Sequence, residues 1–502
     1  MKRGVASRLV SALFLVTAAT SATAQTPTVS SKPPEYWQAF VKADLDAVHQ
    51  TILDAHPGVL DEQNPAFGDW AERGYREALQ LQTLVFNYDS ALAMVRYYTT
   101  GFLDGHLGYS DDARGKDPIV LAGFSLQREG EQYLVTMTAA APWPVALPPL
   151  GARLLACDGR TPEAIIASDI APFIDRRDLQ RSQELRTSFM NHLFLAGREL
   201  KRCSFEVPPD GRRLDLEVRY LPLDLDRAFE LISAGPRHAV HENSFDFRGG
   251  VLWVRAGNFS LKPEQAQALE NVLADLNGLQ ATPRAIVFDV RGNAGGDSRV
   301  GHRLFEAATG GLDYSRDGLD KLPQMHALWR VSEQSLKAAR WGLDRDVSLY
   351  GAGSESAKYL RDLLAQLEAA QAAEQPWVTQ EEGPLLTRSE MQRRGARLKR
   401  YPDSRVLLVT DGVCASACLD MADEVLQVPG SVQVGQVTSA DSLYIDVGRV
   451  RMPSGNNLIV PLKVWRNRPR GNNQPLVPDV PVKAIDDDAA VRAAVLLTLK
   501  RQ

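Results

Sequence analysis

A single serine stands in a turn of small residues, the stretch Thr410–Cys418. The apolar run Val406–Val409 precedes the turn and apolar residues at helical spacing follow it, so the pattern predicts a strand, a turn and a helix. Backbone N–H groups and the positive end of the helix dipole favour negative charge at such a place, which suits a serine nucleophile and its oxyanion. A second interpretation stays open, in which Ser416 only caps the helix.

A glycine-rich turn follows a second apolar run. Arg284–Val290 is nearly continuous in apolar character, as in a strand covered on both faces, and it leads into the turn Asn293–Gly296. Gly295 and Gly296 leave their N–H groups free of side-chain obstruction, and a helix is predicted from about Ser298 to Ala307. In a parallel sheet both turns lie at the carboxyl edge of the strands, where active sites form.

The motifs around these two turns disfavour two other chemistries. A Gly-Lys-Ser/Thr phosphate-binding signature and a Gly-x-Gly-x-x-Gly pattern are absent at the glycine turn. Gly-x-Ser-x-Gly is absent around the serine, which argues against an α/β-hydrolase elbow. Serine acyl transfer remains, and it also needs a base.

One histidine, His106, lies between two glycines in the loop Gly101–Ser110. Apolar residues at helical spacing predict helices from Pro33 to about Tyr98, so the loop follows a helix and precedes an extended segment. A histidine in such a place is ordinarily a solvated loop residue. It becomes a candidate base because a serine nucleophile requires one and imidazole titrates near neutral pH.

The first residues predict export. Lys2, Arg3 and Arg8 precede an apolar stretch from about Leu9 to Ala19, and small residues before Gln25 form a cleavage site. We expect a bacterial signal peptide cleaved after Ala24 and a periplasmic or secreted protein. An uncleaved anchor is the alternative, but the apolar run is short for a membrane span and no later segment is long and apolar enough.

Charge and cysteine content bound the function further. Removing the signal peptide takes the formal charge of the 502-residue chain from −5 to −8. A mildly acidic protein of this kind does not have the basic charge expected of a nucleic-acid-binding protein. Four cysteines in so long a chain are not a disulfide framework. Cys157 and Cys203 stand apart, whereas Cys414 and Cys418 flank the serine, and export permits disulfides. Zinc is a weak alternative, since no second Cys/His pair lies nearby in sequence.

The pattern of elements predicts an α/β fold with several regions. Residues 117–224 show short alternating strands, and the stretch Gly151–Arg160 followed by a helix resembles a PDZ module, a class that binds extended peptides at a sheet edge. The predicted division comprises a signal peptide (1–24), an N-terminal helical region (25–116), the PDZ-like module with a helical insertion (117–224), the first segment of a peptidase core (225–310), a helical insertion (311–400) and the second segment of the core (401–502). The last insertion is either a lid or a packing elaboration.

Taken in order, the motifs resemble the tail-specific (C-terminal-processing) serine peptidases, in the branch related to the tricorn protease core. The motifs that carry the resemblance are Asp104-Gly105-His106, Asp289–Gly296, Cys414–Cys418, Val434–Thr438 and Pro478–Val480. The resemblance implies a crotonase/ClpP-like βα core with Ser416 as nucleophile. It further implies His106 as base and oxyanion donors at Gly295, Gly296 and Ala417.

The chain departs from the family pattern at three positions. Asp441 stands where the better-known branch has a lysine base, so a Ser/Lys dyad of that form is not expected. Gly105 stands where the tricorn-like branch has a serine, and Asn472 lies near the place of its acidic helper. Asp104, Asp441 and Asn472 are the candidates for orienting the imidazole of the base.

The sequence therefore predicts an exported serine endopeptidase that cleaves polypeptides or peptides through an acyl-enzyme, without cofactor or metal and without a nucleic-acid partner. The alternative is a catalytically inactive peptide-binding or scaffold protein on the same fold. A crotonase-like acyl-CoA enzyme shares two oxyanion turns, but the export signal argues against it because acyl-CoA is cytoplasmic. The oligomeric state stays open.

Overall fold

The computed structural model describes residues 32–140, 142–232, 241–384 and 386–501. The predicted signal peptide, residues 1–24, lies outside the described residues and stays a prediction. Within those ranges no helix combines the length and the apolar character that a bilayer crossing requires.

Three helices and a two-residue strand form the N-terminal region, as the periodicity there predicts. They are α1 (Pro34–Ala55), α2 (Pro65–Leu81), α3 (Tyr88–Thr100) and β1 (Gly108–Tyr109). Proline opens α1 and α2, and the Asn87 side chain caps α3 by accepting the Ser90 N–H. The apolar stripe of α1 is fully buried, so the helices form one packed layer.

Seven strands and four helices make up the next region. They are β2 (Ile119–Ala122), β3 (Phe124–Glu129), β4 (Gln132–Thr138), β5 (Arg153–Cys157), α4 (Pro162–Ile165), α5 (Ala171–Ile174), α6 (Gln180–Ser188), β6 (Arg202–Val207), β7 (Arg212–Glu217), β8 (Tyr220–Leu223) and α7 (Leu225–Ile232). Strands β3 to β7 form an antiparallel sheet in chain order, and β2 pairs with β8. Cys157 and Cys203 are opposite each other on β5 and β6 and are joined by a disulfide.

The remaining strands belong to three further sheets: a central one, a second large one and a two-stranded pair. The remaining elements are β9 (Ser244–Arg248), β10 (Val251–Arg255), α8 (Pro263–Gly278), β11 (Ala285–Asp289), α9 (Ser298–Thr309), β12 (Leu312–Asp313), β13 (Met325–Arg330), α10 (Glu333–Tyr350), α11 (Glu355–Ala372), β14 (Trp377–Gly383), α12 (Arg388–Arg393), β15 (Arg397–Leu398), β16 (Arg405–Thr410), α13 (Ala417–Gln427), β17 (Val432–Gly435), β18 (Tyr444–Arg451), β19 (Asn457–Arg466), β20 (Val480–Pro481) and α14 (Asp488–Arg501).

The central sheet has the strand order β20-β17-β16-β11-β10-β9, and all neighbours are parallel except β9 with β10. Alternate residues of its strands pack against α8, α9 and α13 on one face and against α14 on the other. Because both faces are covered, strands such as β11 are buried at every position. The predicted α/β class is confirmed, and β11 and β16 end at the same edge of the sheet.

The segment 311–400 is not purely helical. It contains the two long helices α10 and α11, but it also supplies β13 and β14, which extend a sheet of order β1-β19-β13-β14 with β18 beside β19. Burial in the run Met325–Arg330 is only partly alternating, and long helices surround it, so composition alone predicted helix. The first strand of the same sheet directly follows the histidine loop.

Candidate active site

The serine turn holds an uncommon backbone conformation. Ser416 is the residue before α13, with φ 54° and ψ −130°, and its side chain makes no capping hydrogen bond. Positive φ at a non-glycine residue is uncommon and marks strain that the surrounding structure must hold. Cys414 and Cys418 are fully buried and form a disulfide across the turn. The hydroxyl therefore does not serve as a helix cap.

A buried carboxylate holds the backbone of the nucleophile candidate. The Ser416 N–H donates to Asp441 Oδ1 at 2.7 Å, and Asp441 is only 2% exposed. The guanidinium of Arg470 lies 3.6 Å from the other carboxylate oxygen. Asp441 therefore acts on the main chain of the serine turn rather than on an imidazole.

The glycine turn lies against the serine, as the parallel sheet predicts. A Cβ on Gly295 would lie 2.7 Å from Ser416 Cβ and 3.2 Å from the Ala417 nitrogen, and Gly295 has φ 106°. A Cβ on Gly296 would lie 2.4 Å from the backbone of Phe259. Only glycine fits either position, because the space is filled and the φ values are positive.

The two turns are also bonded to each other. Asp411, at the end of β16, accepts the Gly292 N–H at 2.8 Å and the Val413 N–H at 3.1 Å. On the other side of the glycine turn, the Arg291 guanidinium bonds both oxygens of Asp289, and the ion pair is buried. These bonds fix the glycine turn relative to the serine turn before any substrate arrives.

One predicted oxyanion donor is corrected by the structure. The Gly295 N–H is already donated to Asn293 Oδ1 at 2.8 Å, and the Asn293 amide donates in turn to the Ala256 carbonyl. The N–H groups of Gly296 and Ala417 have no acceptor among the described residues. These two remain as candidate oxyanion donors, close to the N-termini of α9 and α13, whose dipoles favour an anion. Gly295 contributes by lacking a side chain.

The loop of His106 is tied to the segment that holds the serine. The His106 N–H donates to Asp104 Oδ1 at 2.9 Å, and Ser442 Oγ donates to the same oxygen at 2.5 Å. Ser442 directly follows Asp441, which binds the Ser416 N–H. The ring nitrogen Nδ1 of His106 is buried without a hydrogen-bond partner among the described residues. The structure thus brings the histidine loop and the serine turn to one short segment.

Asp104 pairs with a second histidine that the sequence interpretation missed. His56 Nε2 donates to Asp104 Oδ2 at 2.9 Å, while His56 Nδ1 accepts the Gly58 N–H. Burial lowers the pKa of His56, although Asp104 acts to raise it. Burial acts to raise the pKa of Asp104, but the bond from His56 and neighbouring charges outweigh it and hold that pKa below its ordinary value. A neutral imidazole thus donates to an ionised carboxylate.

The three candidates for orienting His106 all have other partners. Asp104 binds its backbone N–H, Asp441 binds Ser416, and Asn472 Oδ1 accepts the Leu443 N–H at 2.9 Å. None of them is bonded to the imidazole ring of His106. This corrects the expectation for the orienting residues: they position main chain in the loops around the site.

An arginine occupies the space beside the histidine. A Cβ on Gly105 would lie 2.3 Å from Arg177 Nη1, which donates to the Ala440 carbonyl at 3.1 Å. Asp175 fixes this guanidinium by accepting from Nε and Nη2. The glycine that departs from the family pattern is therefore the residue that makes room for Arg177. Nothing in the sequence around Arg177 indicated this role, because the contact depends on tertiary packing.

Among the described residues, no group of three His, Cys, Asp or Glu side chains is placed to hold a metal ion.

Ion pairs surround the start of α13: Arg468 bonds Asp420, and Arg470 bonds Asp423 at 3.0 Å. Ser298, at the start of α9, donates to Asp420 Oδ2 at 2.7 Å. The two helix N-termini are thereby held together at the site.

Solved structures share this fold. The chain matches mature CPAF at a TM-score of 0.55 and 12% identity, over 92% of this chain and 96% of that chain. Mature CPAF complexed with lactacystin matches at 0.55 and 13%, over 92% and 98%. Tricorn protease matches at a lower TM-score of 0.37 and 13% identity, over 93% of this chain and 37% of that chain. No family model and no curated protein matches the sequence. The resemblance predicted from the motifs is confirmed at the level of the fold.

Proposed function

We propose that the chain is a serine-type endopeptidase that cleaves polypeptides or peptides through an acyl-enzyme. The observation that carries the proposal is the setting of Ser416: a strained residue with an uncapped hydroxyl, adjacent to two N–H groups without acceptors among the described residues. Strain of this kind gathers at functional sites. The pair of donors suits the negative charge of a tetrahedral intermediate.

The mechanism follows from these groups. Ser416 Oγ attacks the scissile carbonyl while His106 accepts its proton, and the Gly296 and Ala417 N–H groups stabilise the oxyanion. The C–N bond then breaks and the imidazolium gives its proton to the leaving amine. Water, deprotonated by His106, attacks the ester, and the C–O bond to Ser416 breaks to release the acid and restore the hydroxyl.

The finer assignment of the fold belongs to the same proposal. We assign the central sheet with its helices to a crotonase/ClpP-like core, the antiparallel sheet of residues 117–224 to a PDZ-like module, and the division into regions as predicted above. Export to the periplasm or beyond is supported by the two disulfides, which persist in oxidising compartments. The substrate is then an exported or periplasmic polypeptide.

The second candidate is a peptide-binding protein without catalysis. The observation that favours it is the His106 ring, whose buried Nδ1 has no partner among the described residues to set its tautomer. In that case Ser416 would keep its conformation as an inherited feature of the fold. The two candidates differ in whether a polypeptide is cut.

The test is cleavage of fluorescein-labelled casein by the purified mature protein. Ser416→Ala should lower the rate by at least about 1,000-fold, and His106→Ala by a comparable factor. Ser354→Ala is the matched control, because Ser354 also stands at a helix N-terminus, that of α11, but takes no part in the site contacts described above, so the rate should stay within about threefold of wild type. Lactacystin, the compound in one CPAF structure, should inhibit. Equal rates in wild type and Ser416→Ala would refute the proposal.

A further inference from the structure

A cavity of about 260 Å³ lies outside the candidate active site. It is a partly open cavity between α3, the segment from α4 to α5 and residues 190–200, and none of the candidate catalytic residues lines it. Its walls combine polar and apolar groups, and the apolar part includes Phe173, Phe194 and Leu195, all buried. An engineered apolar cavity of about 150 Å³ is enough to bind benzene, so this one can hold a larger apolar group.

One wall of the cavity carries a cation without a carboxylate partner. Arg176 lies over the rings of Trp70 and Tyr97, 4.8 and 4.4 Å from their centroids, and donates to the Tyr97 carbonyl at 3.1 Å and to Thr100 Oγ1. All of these partners are neutral, and no carboxylate of the described residues forms an ion pair with it. A partly buried guanidinium in such surroundings gains most from an anionic partner, because charge-assisted bonds are the stronger ones.

The other charged groups around the cavity also leave an excess of positive charge. Asp169 is the single carboxylate in the lining, and it already pairs with Arg160 at 2.7 Å. Arg198, also in the lining, is 3.7 Å from the same carboxylate. Burial lowers the pKa of His192 to about 3, so this lining residue stays neutral. The net potential in the cavity therefore favours an anion.

We infer that the cavity binds a small amphiphile made of an apolar chain and one carboxylate, a medium-chain aliphatic acid. The carboxylate accepts two hydrogen bonds from Arg176, and the chain lies against Phe173, Phe194 and Leu195. Bidentate recognition of a planar carboxylate is what a guanidinium does best. Burial of the chain removes apolar surface from water, which adds to the affinity in proportion to the area buried.

The position of the cavity connects it with the rest of the molecule. Arg177, the neighbour of Arg176, is the residue that fills the space above Gly105 and donates to the Ala440 carbonyl. The residue that would bind the carboxylate, Arg176, is thus adjacent in sequence to Arg177, which contacts the loops of the candidate active site. Binding itself does not depend on peptidase activity, so it can be measured on its own.

The test is isothermal titration calorimetry of the mature protein with octanoate, and with octan-1-ol as the uncharged analogue. Octanoate should bind saturably at one site and at least ten times more tightly than the alcohol. Arg176→Gln should weaken octanoate binding at least tenfold, whereas Arg176→Lys should retain more of it. The matched control is Arg73→Gln, because Arg73 also lies over Trp70, at 5.4 Å, but is exposed and outside the cavity. It should change the affinity less than twofold.

No saturable binding of octanoate to wild type would overturn the inference, as would equal affinities of wild type and Arg176→Gln. If Arg176→Gln lacks the wild-type circular dichroism spectrum, Ser168→Trp decides. Ser168 lies in the lining on an exposed surface, so an indole there should block the cavity without disturbing the core. Wild-type affinity in folded Ser168→Trp would likewise overturn the inference.

Discussion

Ser416 carries a conformational cost of about 1–3 kcal/mol, as residues in sparsely populated backbone regions do. Three features stabilise this conformation: the hydrogen bond to Asp441, the disulfide between Cys414 and Cys418, and the close approach of Gly295. Each holds the turn from a different side. Removing one of them should therefore change the rate of the proposed reaction more than the affinity for substrate.

The first prediction concerns Asp441. Asp441→Ala removes the acceptor of the Ser416 N–H, so we expect kcat to fall about 100-fold, the effect of a misplacement of about 1 Å, with KM nearly unchanged. An unpaired N–H should also lower the free energy of unfolding by about 1–3 kcal/mol. Asp441→Asn keeps an acceptor oxygen and should lose much less activity. Equal losses in both variants would show that the charge matters, rather than the hydrogen bond to the main chain.

The second prediction concerns Gly105 and Arg177. Gly105 does not have a positive φ, so only the guanidinium prevents a side chain there. Gly105→Ser should destabilise the wild type by about 1–3 kcal/mol, as overpacking does, and much less in the Arg177→Ala background. Urea unfolding of the four proteins gives the coupling energy, expected in the range of about 0.5–3 kcal/mol. Strictly additive losses would contradict the contact.

At the scale of residues, the sequence predicted the serine turn and the glycine turn but not the contacts of the residues around them. The turns follow from local patterns, because a small-residue turn between a strand and a helix is visible along the chain. The pairing of His56 with Asp104 and of Arg177 with Gly105 spans 48 residues or more and depends on packing. The hydrogen bond from the Gly295 N–H to Asn293 Oδ1 could not be predicted either. Its two residues are only two positions apart, but the sequence does not specify the geometry of the turn.

At the scale of elements, the two disulfides have different tasks. The bond between Cys414 and Cys418 closes a loop of four residues around the start of α13, so it restricts the unfolded chain little. The bond between Cys157 and Cys203 joins β5 and β6 across a separation of 46 residues. A loop of that length corresponds to about 3–5 kcal/mol of stabilisation in the chain-entropy account.

The third prediction is therefore that loss of one disulfide mainly lowers kcat, whereas loss of the other mainly lowers the free energy of unfolding. Replacing Cys414 and Cys418 by alanine should lower kcat at least tenfold with a modest change in unfolding free energy, because the nucleophile turn loses a constraint. Replacing Cys157 and Cys203 should lower the unfolding free energy by about 3–5 kcal/mol and leave kcat within about threefold. Casein cleavage and urea unfolding measure the two quantities. Full activity of the first variant would show that this disulfide does not support the nucleophile.

The fourth prediction concerns the contact between the N-terminal helices and the histidine loop. The pKa of His56 is lowered from its ordinary value of 6.5, so the unfolded chain binds the proton more readily than the folded one. Stability is then fully present above pH 6.5 and is lost as the pH falls below that value, with a slope of at most about 1.4 kcal/mol per pH unit for one proton.

His56→Gln should flatten this acid loss, measured by urea unfolding between pH 5.5 and 7.5. His302→Gln is the control of opposite sign: the bond to Glu424 raises the pKa of His302, so that residue stabilises the fold below pH 6.5. Its removal should steepen the loss on acidification. An unchanged slope in His56→Gln would contradict the buried neutral imidazole.

At the scale of the whole molecule, the candidate site is assembled from three regions of the chain. His106 comes from the loop after the N-terminal helices, Arg177 from the region with the antiparallel sheet, and Ser416 from a turn at the edge of the central sheet. The α/β core was predictable because strands and helices alternate with clear periodicity there. Strands β13 and β14 were not, because β13 joins its sheet through β19, which lies far along the chain, and long helices dominate the local composition.

The central claim is that Ser416 is an activated nucleophile, and covalent labelling tests it most directly. The mature protein is treated with a fluorophosphonate, and the adduct is located by mass spectrometry of the peptides. We predict one adduct, on Ser416, that is absent in Ser416→Ala, slowed at least 100-fold in His106→Ala and unchanged in Ser354→Ala. Failure of the wild type to react at Ser416, or equal labelling of wild type and His106→Ala, would contradict the claim.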